Sequence, residues 1–345
     1  MLTWQQDSLQ QAKKNKKDEF YTQLVDIENE LQHYTSVFKN KIVYLNCDNP
    51  RTSNFYKYFV DNFTKLQLRK VIATYHISPE NLEENKDNQL RVTEYSIQNT
   101  GESPSETSYP LSGDGDFRST ECIEILQKSD IIVTNPPFSL FRDFIKQLVK
   151  YNKKFIILGN MTASTSKDIF PLFAKNKVWY GKSIHSGDRE FSVPDNYPLS
   201  ASSVRIDENG VKYIRVKGVR WFTNIDYNDR HKYIPLTESY NPESYPKYVN
   251  FDAINVPKTA LIPKDYEGAM GVPVSFLDKY SPDQFEIIGS SRTLALPMIE
   301  FAPKDTFPPG GPRFYLRNPD GTYKRLFERI VIKNKYPRPT KREDN

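Results

Sequence analysis

SDIIVTNPPFSLF, residues 129–141, decides the fold. The apolar and β-branched run from Ile131 to Thr134 is the pattern of a strand buried on both faces of a parallel sheet. It stops at Asn135-Pro136-Pro137-Phe138, and FSLFRDFIKQLVKY beyond it carries its apolar residues at helical spacing. Proline has no amide hydrogen, fixes φ and holds the residue before it extended, so the ladder ends here and the chain leaves the sheet stiffened. Held in this way, the Asn135 side-chain oxygen and the Pro136 carbonyl offer two acceptors in fixed directions, with the Phe138 ring beside them. Two acceptors and an aromatic face suit a planar amino group.

The same kind of strand recurs on both sides of this segment. KIVYLNCD (41–48), RKVIATY (69–75) and KKFIILGN (153–160) are apolar runs, and SNFYKYFVDNF after the first has helical spacing. Alternation of strand and helix over short distances predicts a doubly wound, mostly parallel α/β sheet with ligands at the carboxyl ends of its strands. A helix is expected over residues 26–38, QLRVTEYSIQ (89–98) reads as an alternating excursion, and TGESPSETSYP as a polar loop. After Glu190 the texture changes: 17 of the 24 prolines lie there, among short strand-like pieces such as VKYIRV and VRWFTN, so this half is expected to be loop-rich. FAPKDTFPPGGPRF (301–314) reads as a turn-rich, mobile connector.

Adenine's exocyclic amine is a weak nucleophile because its lone pair is delocalised into the ring. Two acceptors for its hydrogens favour a tetrahedral nitrogen and offset the positive charge that develops as it attacks an electrophilic carbon. In duplex DNA that amine is paired and stacked, so the base must be flipped out, with Phe138 stacking on it. The competing reading of Asn-Pro-Pro-Phe is a plain strand-terminating turn. A chance match to Asp/Asn-Pro-Pro-aromatic in a chain of this length has a probability on the order of one in a hundred. On the cofactor side, NCDNPRTSNF (46–55) lacks the glycines of a dinucleotide fingerprint. Asp48 suits either a ligand contact or a helix cap, and Asp116-Phe117 in GDGDF either an adenine contact or a plain turn.

Composition narrows the class. With 345 residues, 37% of them apolar, the chain can bury a sizeable core unaided. Cys47 and Cys122 are far apart and fit neither a disulfide scaffold nor a zinc site, and the four histidines are scattered, so no metal and a reduced, cytoplasmic setting are expected. No run is long enough to span a membrane and the N-terminus has no leader-like apolar core. The net charge of +5 permits a polyanion partner without demanding one, and the basic arm KKNKK (13–17) is as easily a solvated segment.

Taken in order, DEFYTQ (18–23), IVYLNCDNPRTSNFYKYF (42–59), GDGDFRS (113–119), DIIVTNPPFSLF (130–141), KKFIILGN (153–160), VRWFTN (219–224), YPKY with DAINV (245–256) and GAMGVPVSF (268–276) closely resemble the EcoRI-type DNA adenine methyltransferases. The resemblance spans roughly residues 12–290. It implies a class I methyltransferase, Rossmann-like, with residues 1–228 as the S-adenosylmethionine-dependent catalytic domain and 229–345 as a loop-rich region recognising the DNA target. It implies transfer to N6 of a flipped adenine, as the modification partner of a restriction-modification system. Asn135, Pro136, Pro137 and Phe138 are then the catalytic tetrad, and Phe20, Tyr21, Thr22, Asn46, Asp48, Asp116 and Phe117 the cofactor contacts. Double-stranded DNA is the implied partner, with no obligate protein partner and a monomeric enzyme. RKVIATYH ends without the acidic residue that usually binds the cofactor ribose, so that contact is left unassigned, as is the segment after about residue 289.

Trp221 and Phe222 suit either the base pocket or the core, and Arg189, Arg215, Arg220, Arg230, Lys247 and Arg292 are candidate DNA contacts. A methyltransferase acting on RNA or on a protein glutamine amide would use the same tetrad, although protein-modifying enzymes usually carry Tyr in place of Phe138 and a Gly-rich first motif. A DNA-binding homologue without catalysis is opposed by the intact tetrad.

Overall fold

The computed structural model describes residues 20–76, 90–97, 102–193 and 204–338; the basic arm at 13–17 lies outside them. The chain divides into two compact units, residues 1–163 with 180–225 and residues 164–179 with 226–345.

The first unit contains, in chain order, β1 (Tyr21–Thr22), α1 (Leu24–Leu31), β2 (Ile42–Leu45), α2 (Asn54–Asp61), β3 (Lys70–Thr74), β4 (Leu90–Ser96), β5 (Ser105–Pro110), α3 (Thr120–Lys128), β6 (Ile131–Thr134), α4 (Phe141–Lys150) and β7 (Lys154–Asn160). These are followed by β8 (Trp179–Tyr180), of which Tyr180 belongs to this unit, β9 (Asp188–Val193), β10 (Val204–Ile206), β11 (Lys212–Lys217) and β12 (Val219–Thr223). Eight strands form one mixed sheet in the order β5-β4-β3-β2-β6-β7-β12-β8. Its centre, β3-β2-β6-β7, is parallel, and β4 and β12 join it antiparallel. The fold is therefore mixed α/β around a large mixed sheet. Val43, Tyr44, Ile132, Val133, Ile156 and Ile157 are all fully buried, which is why these strands read as unbroken apolar runs. Ser53 starts α2 by accepting from the Phe55 and Tyr56 amides.

Two expectations are corrected. The predicted helix over 26–38 is α-helical only to Leu31 and continues as a 3₁₀ turn over Gln32–Phe38, where Thr35, Ser36 and Val37 disfavour α-geometry. The alternating excursion is β4, and half of the polar loop is β5, an exposed edge strand whose ladder with β4 depends on backbone bonds rather than burial. A second, antiparallel sheet has the order β1-β9-β11-β10.

The second unit holds α5 (Phe170–Ala174), β13 (Ile254–Asn255), β14 (Met270–Pro273), β15 (Phe285–Ser290), α6 (Ser291–Leu294), β16 (Tyr315–Arg317), β17 (Tyr323–Arg325) and β18 (Arg329–Asn334). It is less loop-rich than its prolines suggest: β13-β14-β18-β15 make a four-stranded sheet, and β16 and β17 a separate ribbon. The connector expected to be mobile is tied down. Tyr315 donates its hydroxyl to the Pro308 carbonyl, and Phe307 meets the Tyr315 ring edge-on at 5.6 Å.

Candidate active site

The site is built where β2 and β6 end side by side. β2 leads through α2 to β3 on one side, and β6 through α4 to β7 on the other, so the strand order reverses between them. Open α/β sheets bind ligands at such a reversal, beyond the carboxyl ends of the strands. Asn46 and Asp48 follow β2, and Asn135 follows β6 directly.

Asn135 donates its Nδ2 to the Phe20 carbonyl at 2.8 Å, and its Oδ1 is buried without a hydrogen-bond partner. A carbonyl can only accept, so this contact fixes which end of the amide faces away from Phe20. Phe20 belongs to a strap held from two sides. Tyr21 and Thr22 pair with Ser192 and Phe191 of β9, and Asn54 at the start of α2 donates to the Thr22 carbonyl at 2.8 Å. The Phe20 ring stands edge-on to Phe138, centroids 5.6 Å apart. Phe20, Thr22, Asn135 and Phe138, predicted from distant parts of the sequence, thus come together.

Asp48 is buried. Its Oδ1 accepts from the Ser53 hydroxyl at 2.7 Å and its Oδ2 from the Thr134 hydroxyl at 2.5 Å. Burial pushes its carboxyl up from 3.8 to about 6, against the two hydroxyl bonds that favour the charged form. It therefore joins the cap of α2 to the residue that precedes Asn135. The side-chain oxygens of Thr22, Asn46 and Asn135 are all buried and unpartnered. Each such group costs about 1–3 kcal/mol, and three of them around one strand reversal fit a polar ligand that would satisfy them.

The GDGDF loop reaches the end of the neighbouring strand. Gly115 has φ +82° and lies so close to the Tyr75 carbonyl that a Cβ would overlap it, while the Asp48 amide donates to the Thr74 carbonyl at 3.0 Å. Asp116 is held by Arg118 through Nε at 2.9 Å and Nη2 at 2.6 Å, which keeps its carboxyl below the usual range. Phe117 is buried edge-on to Phe144 at 5.0 Å and accepts on its carbonyl from Gln147, anchoring the loop to α4.

Ser53, Asn54, Thr134 and Arg118 escaped sequence reasoning. A polar residue closing an otherwise apolar strand was the available signal for Thr134, and a serine just before a helical pattern for Ser53. Trp221 and Phe222 are fully buried core residues. Among the candidate DNA cations, Arg220 is buried with its guanidinium on the Val219 and His185 carbonyls, and Arg230 is buried against the Trp179 ring. Arg189, Arg215, Lys247 and Arg292 pair with Asp26, Glu190, Asp252 and Glu328. Among the described residues no His, Cys, Asp and Glu cluster is arranged to hold a metal, and no helix is long and apolar enough to cross a membrane.

Residues 8–335 match the family described as adenine-specific methyltransferase EcoRI. The chain belongs to this family. It is 49% identical over 288 residues to the type II methyltransferase M.EcoRI of Escherichia coli, covering 81% of this chain and 88% of that protein. It is 37% identical over 333 residues to the type II methyltransferase M.MpnI of Mycoplasma pneumoniae, covering 94% and 97%. The type II methyltransferase M.MgeORF184P of Mycoplasma genitalium is 38% identical over 281 residues, covering 80% and 84%. No solved structure matches the chain. As a member of this family the enzyme is an adenine-specific methyltransferase.

Asp48 gives this methyltransferase a specific acid response. Because its folded carboxyl sits near 6 and its ordinary value is 3.8, the folded protein binds the extra proton between those limits. Stability from this group is highest below about pH 4 and is lost as pH rises to about 6; the full difference is about 3 kcal/mol. Asp48→Asn removes the titration. The melting temperature of the wild type relative to that variant is expected to fall across pH 4 to 6, and a constant difference would contradict the burial argument.

Proposed function

We propose that this enzyme transfers a methyl group from S-adenosylmethionine to N6 of an adenine flipped out of duplex DNA, within a class I, doubly wound catalytic domain. The observation that carries the reading is Asn135, whose amide nitrogen is spent on the Phe20 carbonyl while its buried oxygen is left to accept from an incoming amine. The reversal of strand order between β2 and β6, with strand–helix–strand crossovers running away on either side, supports the class I fold.

The cofactor is held by the Phe20-Tyr21-Thr22 strap, Asn46 and Asp48 at the end of β2, and the Asp116-Phe117 loop; the unpartnered Thr22 and Asn46 oxygens fit its polar end. Bound there, S-adenosylmethionine supplies a methyl carbon made electrophilic by its sulfonium. Asn135 Oδ1 and the Pro136 carbonyl accept the two N6 hydrogens, which favours a tetrahedral nitrogen and offsets its growing positive charge. Pro136 and Pro137 keep those acceptors from moving. Phe138 stacks on the extruded base and so offsets part of the few kcal/mol that unpairing costs. Residues 1–228 serve as the catalytic domain and 229–345 as the target-recognition region of a cytoplasmic, monomeric enzyme that modifies DNA for a restriction-modification system.

Radiolabelled methyl transfer offered duplex DNA, RNA and protein side by side tests this. Label recovered as N6-methyladenine from DNA is the expected result, and label in RNA or protein instead refutes it. With the same assay, Phe138→Ala is expected to lose more activity on a paired target adenine than on a mismatched one, because only the paired base must be unstacked. An equal loss on both would remove Phe138 from base capture.

A further inference from the structure

Residues 313–338 carry eight Lys and Arg against two Asp and Glu, a net charge of +6. The whole chain, with 48 Lys and Arg against 43 Asp and Glu, has only +5, so everything outside this stretch sums to −1. This stretch, which holds the ribbon β16–β17 and β18, is therefore strongly basic. Tyr315 pairs with Arg325, Leu316 with Lys324 and Arg317 with Tyr323. Arg317 and Lys324 consequently project from opposite faces of the ribbon, and both are exposed. Unlike the cations considered above, neither makes an ion pair or side-chain hydrogen bond among the described residues. Phe327, two residues beyond β17, is 82% exposed.

The base of the ribbon is tied to the rest of its unit. Fully buried Asn250 donates to the Leu296 and Arg313 carbonyls, both at 2.8 Å, and accepts from the Tyr315 amide at 3.1 Å. The Phe314 ring stacks between Tyr248 and Phe251. At the tip, Gly321 with φ +87° turns the chain, the Asn318 amide donates to the Thr322 carbonyl at 2.8 Å, and Asp320 accepts from the Thr322 amide and hydroxyl. A narrow, stiff ribbon with a free cation on each face is suited to a groove walled by phosphates on both sides, and the DNA major groove admits a two-stranded ribbon.

We propose that the β16–β17 ribbon is a duplex-DNA contact in which Arg317 and Lys324 meet phosphates on opposite walls of one groove and Phe327 makes an apolar contact beside them. This rests on the reading of duplex DNA as the substrate. Each lost phosphate contact lowers the slope of log affinity against log salt by about 0.9. For the full-length enzyme, Arg317→Ala with Lys324→Ala is expected to weaken duplex-DNA binding about tenfold at moderate salt and to reduce the salt slope by about 1.8. kcat at saturating DNA and KM for S-adenosylmethionine should stay at the wild-type values. Arg317→Lys with Lys324→Arg keeps both charges and is expected to restore the slope. Phe327→Ala should raise KM for DNA without changing the slope, since an apolar contact releases no counterion. A slope unchanged in the double Ala variant overturns the proposal, as does a loss confined to RNA binding. A wild-type enzyme that methylates no DNA refutes the substrate reading itself, so the two failures are told apart by the wild-type control.

Discussion

Asn135→Ala is expected to lower kcat for methyl transfer roughly 30- to 1,000-fold, on the order of 2 to 4 kcal/mol, with KM for S-adenosylmethionine nearly unchanged. In the mechanism proposed above, the substitution removes an acceptor that serves the amine only as its nitrogen becomes tetrahedral, so the loss belongs to the transition state and falls on kcat. Wild-type turnover in this variant would refute the role. Asn135→Asp separates the acceptor from its orientation. Aspartate can still accept through one oxygen, but its other oxygen then faces the Phe20 carbonyl, where Nδ2 now donates at 2.8 Å. Only the protonated acid can donate there, so the neutral carboxyl of the variant reproduces the wild-type arrangement and the carboxylate does not. Activity of Asn135→Asp relative to wild type should rise as pH falls. A ratio independent of pH would show that the strap does not orient this residue.

The parts of the fold legible in the sequence are those whose burial is complete on both faces. β2, β3, β6 and β7 are central, so every residue must be apolar or paired, and the pattern is visible without its neighbours. β5 is illegible because an exposed edge strand of Ser, Glu, Thr and Tyr carries no burial signal. β1 has only two residues, and its partner β9 lies about 170 positions later, so nothing local announces the pairing.

The site follows the same division. The strand end at Asn135 to Phe138 could be read because two prolines after a buried strand are a local event with few explanations. The bond from Thr134 to Asp48 spans 86 positions and needs the parallel register of β2 and β6 to exist at all. Arg220 and Arg230 are illegible in the opposite direction, because both are buried. Arg220 looks like any surface cation in VRWFTN, yet β12 is buried along its length and Arg220 turns its guanidinium onto carbonyls. Charge identity is written in the sequence, whereas charge availability is a property of packing.

Substitution of Glu30 should cost a large share of the stability of the fold. It is fully buried on α1, with Oε1 accepting from the Tyr34 hydroxyl at 2.8 Å and the Lys182 amide at 2.9 Å, and Oε2 from the Ser183 amide at 2.7 Å. Gly181 has no side chain because a Cβ would overlap the Glu30 carboxylate and the Trp221 Cβ. One carboxylate thereby pins α1 to the turn after β8. Glu30→Ala leaves three donors without their acceptor and is expected to cost about 3–5 kcal/mol, a large share of a typical stability of about 5–15 kcal/mol. Glu30→Gln keeps one acceptor but sets its NH2 against a backbone N–H, so an intermediate loss is expected. Gly181→Ala alone should be comparably damaging. Combined with Glu30→Ala it should cost less than the sum, because the smaller residue removes one of the two clashes. Denaturant unfolding of the wild type, the two single Ala variants and the double variant measures this coupling, and kcat of the folded fraction should stay at the wild-type value in all of them. Strict additivity, or a fall in kcat per folded molecule, would mean that Glu30 does not act as a clamp on this turn.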